Sequence, residues 1–181
     1  GAHKMEFYSI DKAGNKELPQ IIQFTIDKLP PDAIIQFDPD IRDLRFAGKD
    51  TISLSNEIQV LDRGDSVSFI DQAGNSTEIA FKEKDRKSKL SVELIGLTYN
   101  TVKADLTNNQ FKFQWTFDTH GILEKLEQKM KAKGDFEITA KYEHGKTKIT
   151  GKDENGKIEQ EIQGLVLLKV IITQGNLEWT R

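Results

Sequence analysis

The chain has no cysteine among its 181 residues, so a disulfide framework, a thiolate metal site and cysteine catalysis are excluded. It has no excess of one charge either: 26 Lys plus Arg stand against 29 Asp plus Glu, for a formal net charge of -3. The basic footprint that nucleic acid or an anionic membrane requires is missing. Long hydrophobic runs are also lacking. The longest, GLVLLKVIIT at residues 164–173, is too short for a membrane helix and is interrupted by Lys169. No nucleic-acid partner and no membrane insertion are expected. Catalytic signatures are absent too. There is no H-E-x-x-H, G-x-S-x-G or phosphate-loop pattern, and His3, His120 and His144 do not have metal-ligand spacing. No catalytic, cofactor-binding or metal residue is assigned, and the chain is expected not to be an enzyme.

What the chain does contain is a repeated turn. YSIDKAGNKE at residues 8–17 and SFIDQAGNSTE at 68–78 share the core I-D-x-A-G-N. Asp11 and Asp71 can each accept hydrogen bonds from the backbone just ahead, and Gly14 and Gly74, three residues on, can take φ > 0 without a Cβ clash. This is the pattern of a three-residue hairpin loop closed by a left-handed glycine. The same Asp-x-x-Gly spacing recurs at 118–121 and 153–156.

Strand-like runs bounded by Gly, Asp, Asn or Pro fill most of the remainder. FKFQWTF is the clearest, with Phe111, Phe113, Trp115 and Phe117 on one face and Lys112, Gln114 and Thr116 on the other. Those four aromatics are expected in the main core. One stretch departs from period two: in GILEKLEQKMKAKG the spacing of Ile122, Leu123, Leu126 and Met130, with a Glu127/Lys131 pair, predicts a short α-helix near 122–133 capped by Gly121 and Gly134. The fold expected is mainly β, an antiparallel β-sandwich, Ig-like or related, with that one helix.

Pro30-Pro31 cannot sit inside a paired central strand and stiffens the chain, which places a boundary there. FYSIDKAGNKELPQIIQFTIDKLPP, residues 7–31, resembles the closing hairpin and exit linker of bacterial Ig-like repeats in modular surface and secreted proteins, and the likeness returns at 67–81. The resemblance implies that residues 1–30 close an upstream Ig-like repeat and that 31–181 form the next β-sandwich domain. The opening GAHKMEFYS reads as a short added tag running into a native strand, so targeting information is expected to lie outside it.

Several side chains invite sharper readings. Arg63-Gly64-Asp65 matches the tripeptide that integrins read, but all three residue types also favour ordinary turns. Asp38, Asp40 and Asp43 cluster after the linker. Calcium is the cofactor they could attract, yet three carboxylates fall short of its six to eight oxygens, and no cofactor is expected. Trp115 and Trp179 could stack on sugar rings, although the alternation around Trp115 directs it inward. Lys169 reads as protection of a sheet edge, with an intramolecular isopeptide bond as the sharper alternative.

These readings converge on a non-catalytic structural or adhesive module of a larger bacterial secreted or cell-surface protein, serving spacing, display or adhesion outside the cell. Its partners would be neighbouring modules of the same polypeptide and a glycan or cell-surface ligand. The alternative is a carbohydrate-binding accessory module of a secreted enzyme.

Overall fold

The computed structural model describes residues 1–50, 57–81, 92–94, 97–106 and 109–181, with the backbone alone at 92–94, 97–99 and 105–106. Strands β1 (Ala2–Phe7) and β2 (Gln20–Thr25) pair into a two-stranded sheet of their own. Strands β3 (Asp32–Asp38) and β4 (Asp43–Lys49) follow the diproline. Strands β5 (Gln59–Asp62), β6 (Ser66–Ile70) and β7 (Ser76–Ala80) make a three-stranded sheet. A meander then runs through β8 (Val92–Leu94), β9 (Leu97–Leu106), β10 (Asn109–Phe117), β11 (Leu123–Lys131), β12 (Glu137–Glu143), β13 (Lys146–Asp153) and β14 (Gly156–Gln163) as one seven-stranded sheet. The last strands, β15 (Lys169–Thr173) and β16 (Asn176–Thr180), return to β3 and β4 in the order β16-β15-β3-β4. All pairings between these strands are antiparallel. LSVELIGLTY, residues 90–99, another of the strand-like runs, lies partly outside the described residues.

Alternation builds one core between these sheets. Phe111, Phe113, Trp115 and Phe117 are each at most 2% exposed, as the period-two pattern predicts. Opposite them stand Ala33, Ile35 and Phe37 of β3 and Val170 and Ile172 of β15, and the rings of Phe37 and Trp115 meet at 4.8 Å. Phe81, just beyond β7, packs edge-on against Phe46 and Phe111, so the three-stranded sheet joins the same core. Each buried aromatic or branched side chain contributes about 1.5–3 kcal/mol in transfer free energy.

The expected helix near 122–133 is not there: Leu123–Lys131 is strand β11, paired with β10 and β12. Two features disguise its period. Phe117 faces Leu123 while Thr116 faces Lys125, so Glu124 is an extra residue in a β-bulge. That extra residue puts Leu123 and Leu126, three apart, on the same face. The second feature is Gln128, which sits on the buried face between Leu126 and Met130 at 1% exposure and reads as a polar interruption. Its amide is engaged at both ends: Nε2 donates to the Val166 carbonyl at 2.8 Å, and Oε1 accepts from the Leu168 amide at 2.7 Å. Gly121 and Gly134 are turn residues with positive φ rather than helix caps.

Gln128 has a second role in the topology. Residues 165–168 carry the chain from the seven-stranded to the four-stranded sheet without being strand themselves, so their backbone groups need other partners. Gln128 supplies two. Buried Thr147 supplies more, its hydroxyl donating to the Gly164 carbonyl at 2.7 Å and accepting from the Val166 amide at 3.0 Å. Leu168, Val170 and Ile172 then face the core. Lys169 stands on β15, which lies between β16 and β3; it is not on a sheet edge, and the edge-protection reading is corrected.

Candidate functional site

Both copies of I-D-x-A-G-N form the expected loop. In the first, Asp11 Oδ1 accepts from the Ala13 and Asn15 amides at 2.8 and 2.9 Å, and Asn15 Nδ2 donates to Oδ2 at 2.8 Å. In the second, Asp71 takes the Asn75 amide and side-chain amide, both at 2.8 Å. Gly14 has φ 88° and Gly74 has φ 86°. Asp118 makes the same turn, accepting from the His120 and Ile122 amides at 2.9 and 2.8 Å.

The copies differ in what surrounds them. Every residue of β1 and β2 is exposed. Their register puts His3, Met5, Phe7, Ile22 and Phe24 on one face and Lys4, Glu6, Ile21 and Gln23 on the other, so the ribbon has an apolar face that stands exposed. In β6 and β7, by contrast, Val67, Phe69 and Ile79 are fully buried.

The second turn holds the exit of the first hairpin. Asn75 Nδ2, besides its bond to Asp71, donates to the Asp27 carbonyl at 3.3 Å, and Thr77 Oγ1 donates to the Pro31 carbonyl at 2.6 Å. Pro31 lies just outside β3, and this contact gives its carbonyl a donor that no strand ladder supplies. Asp27 forms an Asx turn of its own, accepting from the Leu29 amide at 3.0 Å.

At this junction the carboxylate oxygens of Asp27, Asp50 and Asp71 lie within 4.8 Å of one another, the single such trio among the described residues. Asp50 and Asp71 are each 6% exposed. Three oxygens could enter the shell of a hard cation, which takes about six to eight if it is calcium; both oxygens of Asp71 are already engaged by Asn75. Sequence reading missed this trio because its members come from three separate segments. The one available signal was the shared Ile-Asp of TIDKLPP and FIDQAGN.

The carboxylates singled out in the sequence do not converge. Asp38 is taken up by its own turn, accepting from the Asp40 amide at 2.8 Å, and it pairs with Arg45. Burial pushes its carboxyl upward, but the amides of Asp40 and Ile41 and the guanidinium outweigh this and hold it below the usual range. Arg63-Gly64-Asp65 is displayed on the exposed β5–β6 turn, where Gly64 has φ 88° and its amide donates to Asp62 at 2.8 Å. The three histidines lie on separate elements: His3 stacks on Phe24, while His120 and His144 occupy turns. Trp115 is core, and Trp179 is half-buried on β16.

The outward face of the seven-stranded sheet is a mosaic of lysine and glutamate. Glu127 lies between Lys112 and Lys141 at 3.3 and 3.4 Å, and Lys125–Glu143, Lys129–Glu137 and Lys146–Glu161 pair at 2.8, 2.6 and 2.9 Å. Burial raises the Glu127 carboxyl, yet the two lysines bring it below its usual value. Hydrogen bonds from lysine do the same at Glu137, Glu143 and Glu161. These carboxylates are fixed in the ionised state and are poorly suited to donate a proton near neutral pH.

No protein-family model matches the chain, no curated protein matches it, and no solved structure matches it.

Proposed function

We propose that the chain is a non-catalytic structural and adhesive module of a larger bacterial secreted or cell-surface protein, serving to space or display its neighbours. In this reading the four-stranded and seven-stranded sheets face each other as an Ig-related β-sandwich spanning residues 31–181. Residues 1–30 are the closing hairpin and linker of the module before it. The observation that carries the reading is the β1–β2 ribbon, with Met5 and Phe24 at 48% and 41% exposure. An amphipathic two-stranded ribbon is marginal alone in water, and its apolar face has the composition of one inner face of a second sandwich. The linker contacts from Asn75 and Thr77 fix how the ribbon leaves the domain, as a spacer requires.

The extracellular part of this proposal draws on the resemblance of residues 7–31 to the repeats of bacterial surface and secreted proteins. It is tested on intact cells of the producing organism. An antibody to this chain should label them, and added protease should remove the signal. Antigen that is detected only after lysis would contradict the surface assignment.

A further inference from the structure

We propose that the cleft between β16 and the turns at one end of the seven-stranded sheet binds a non-acidic pyranose of a glycan, stacked on Trp179. The cleft has a volume of about 490 Å³ and is lined chiefly by Trp179 and Glu178 of β16, Phe136 of the β11–β12 turn, and Asp153, Glu154 and Asn155 of the β13–β14 turn. That volume lies within the ordinary range for small-molecule sites and exceeds what one sugar ring occupies.

The lining chemistry selects the class. Trp179 and Phe136 are both half-buried, anchored on the core side and leaving aromatic surface to the cleft. A pyranose presents a face of C–H groups that packs on such a ring, while its hydroxyls point outward around the rim. The rim here consists of oxygen acceptors and one amide, from Asp153, Glu154, Glu178 and Asn155. Asp153 is already ordered, since its Oδ1 accepts from the Asn155 amide at 2.8 Å and so fixes the turn that carries three of the four. Among the described residues, no lysine or arginine lines the cleft, which disfavours uronic acids, sulfated sugars and phosphates. Two cations close by in sequence are engaged elsewhere: Lys152 pairs with Asp135 at 2.6 Å, and Arg181 donates to Gln160 at 2.8 Å. Because β16 is the terminal strand of its sheet, its outer backbone groups add further hydrogen-bonding capacity along the same wall.

The inference is independent of the spacer reading, because a spacer needs no such cleft. A competing occupant is an extended basic peptide laid along β16 with a lysine in the acidic rim. Tryptophan emission separates the two: Trp115 is 1% exposed, so a ligand-induced change reports Trp179. The full chain is titrated with chitotriose, maltotriose, trigalacturonate and trilysine at up to millimolar concentration. A response to a neutral trisaccharide but not to trigalacturonate is expected. Trp179→Ala should weaken that binding at least about tenfold, with melting checked in parallel. Glu178→Ala, at an exposed position, should weaken it several-fold without loosening the fold. Silence towards both neutral sugars, a response to trilysine alone, or sugar binding unchanged in both variants would overturn the proposal.

Discussion

The β1–β2 hairpin and the β6–β7 hairpin carry the same turn with nearly the same hydrogen bonds, yet one is exposed throughout and the other contributes Val67, Phe69 and Ile79 to the core at 0% exposure. Local sequence therefore specifies the turn in both places, while burial is decided by what each strand finds to pack against. The turn at Asp71 also has a task that the turn at Asp11 lacks. Its Asn75 reaches the Asp27 carbonyl and secures the segment leading out of the first hairpin. One motif thus closes a hairpin and, in its second copy, docks the linker of the first.

That contrast can be broken most forcefully in the core. Trp115→Ala should cost about 3–5 kcal/mol, the range for deleting a large buried aromatic. Phe24→Ala, in the exposed ribbon, should leave the main thermal transition nearly unchanged. A comparable loss from both would erase the distinction between the two regions.

The next effect is expected at Gln128. Removing its amide leaves the Val166 carbonyl and the Leu168 amide without this partner, each at about 1–3 kcal/mol, so Gln128→Ala should destabilise by about 2–6 kcal/mol in a denaturant titration. Since Gln128 is what orders the crossover into β15, hydrogen exchange at Val166–Leu168 should rise in the same variant. Unchanged protection there would show that the crossover is held by other groups.

A smaller and more pointed comparison is Gly74→Val against Gly14→Val. Neither glycine has atoms within 4 Å of an added Cβ, so strain at positive φ is the sole penalty, about 1–3 kcal/mol. Gly74→Val should lower the main melt; Gly14→Val should alter only local exchange in the hairpin.

The smallest effect is electrostatic. Glu137, Glu143 and Glu161 have lowered folded-state pKa values through their lysine partners. Their stabilisation is present above the unfolded carboxylate range, about pH 4.3, and is lost as pH falls through the lower folded values. Lys125 is raised by Glu143, and its share is lost as pH rises beyond its unfolded value, about 10.4, and through the folded one. Melting curves should therefore decline on both sides of a broad plateau, modestly for such exposed pairs, and less so in molar salt.

Much of this fold is legible in the letters because antiparallel strands that bury one face must alternate. FKFQWTF is read correctly for that reason, and the turns at Asp11, Asp71 and Asp118 are legible because each has a glycine three residues on that takes positive φ; the same spacing at 153–156 instead closes a two-residue connection. β11 is misread because a bulged Glu124 and a satisfied, buried Gln128 together imitate helical spacing. Lys169 is misread because a strand's place in its sheet is a tertiary property. Turn loops reveal themselves within five residues, whereas the Asp27, Asp50 and Asp71 trio and the Trp179 cleft are assembled from segments whose proximity exists only once the chain is folded.

The central claim is that the first hairpin is a separate unit from the domain that follows, and calorimetry of a chain lacking residues 1–26 tests it most directly. Asp27 and its contacts to the second turn are retained in that variant. A single cooperative transition within about 3 °C of the full chain, a shift of about 1 kcal/mol or less for a domain of this size, is the expected result. An unfolded chain, or a melt lowered by tens of degrees, would show that β1 and β2 are integral and that the two regions form one domain.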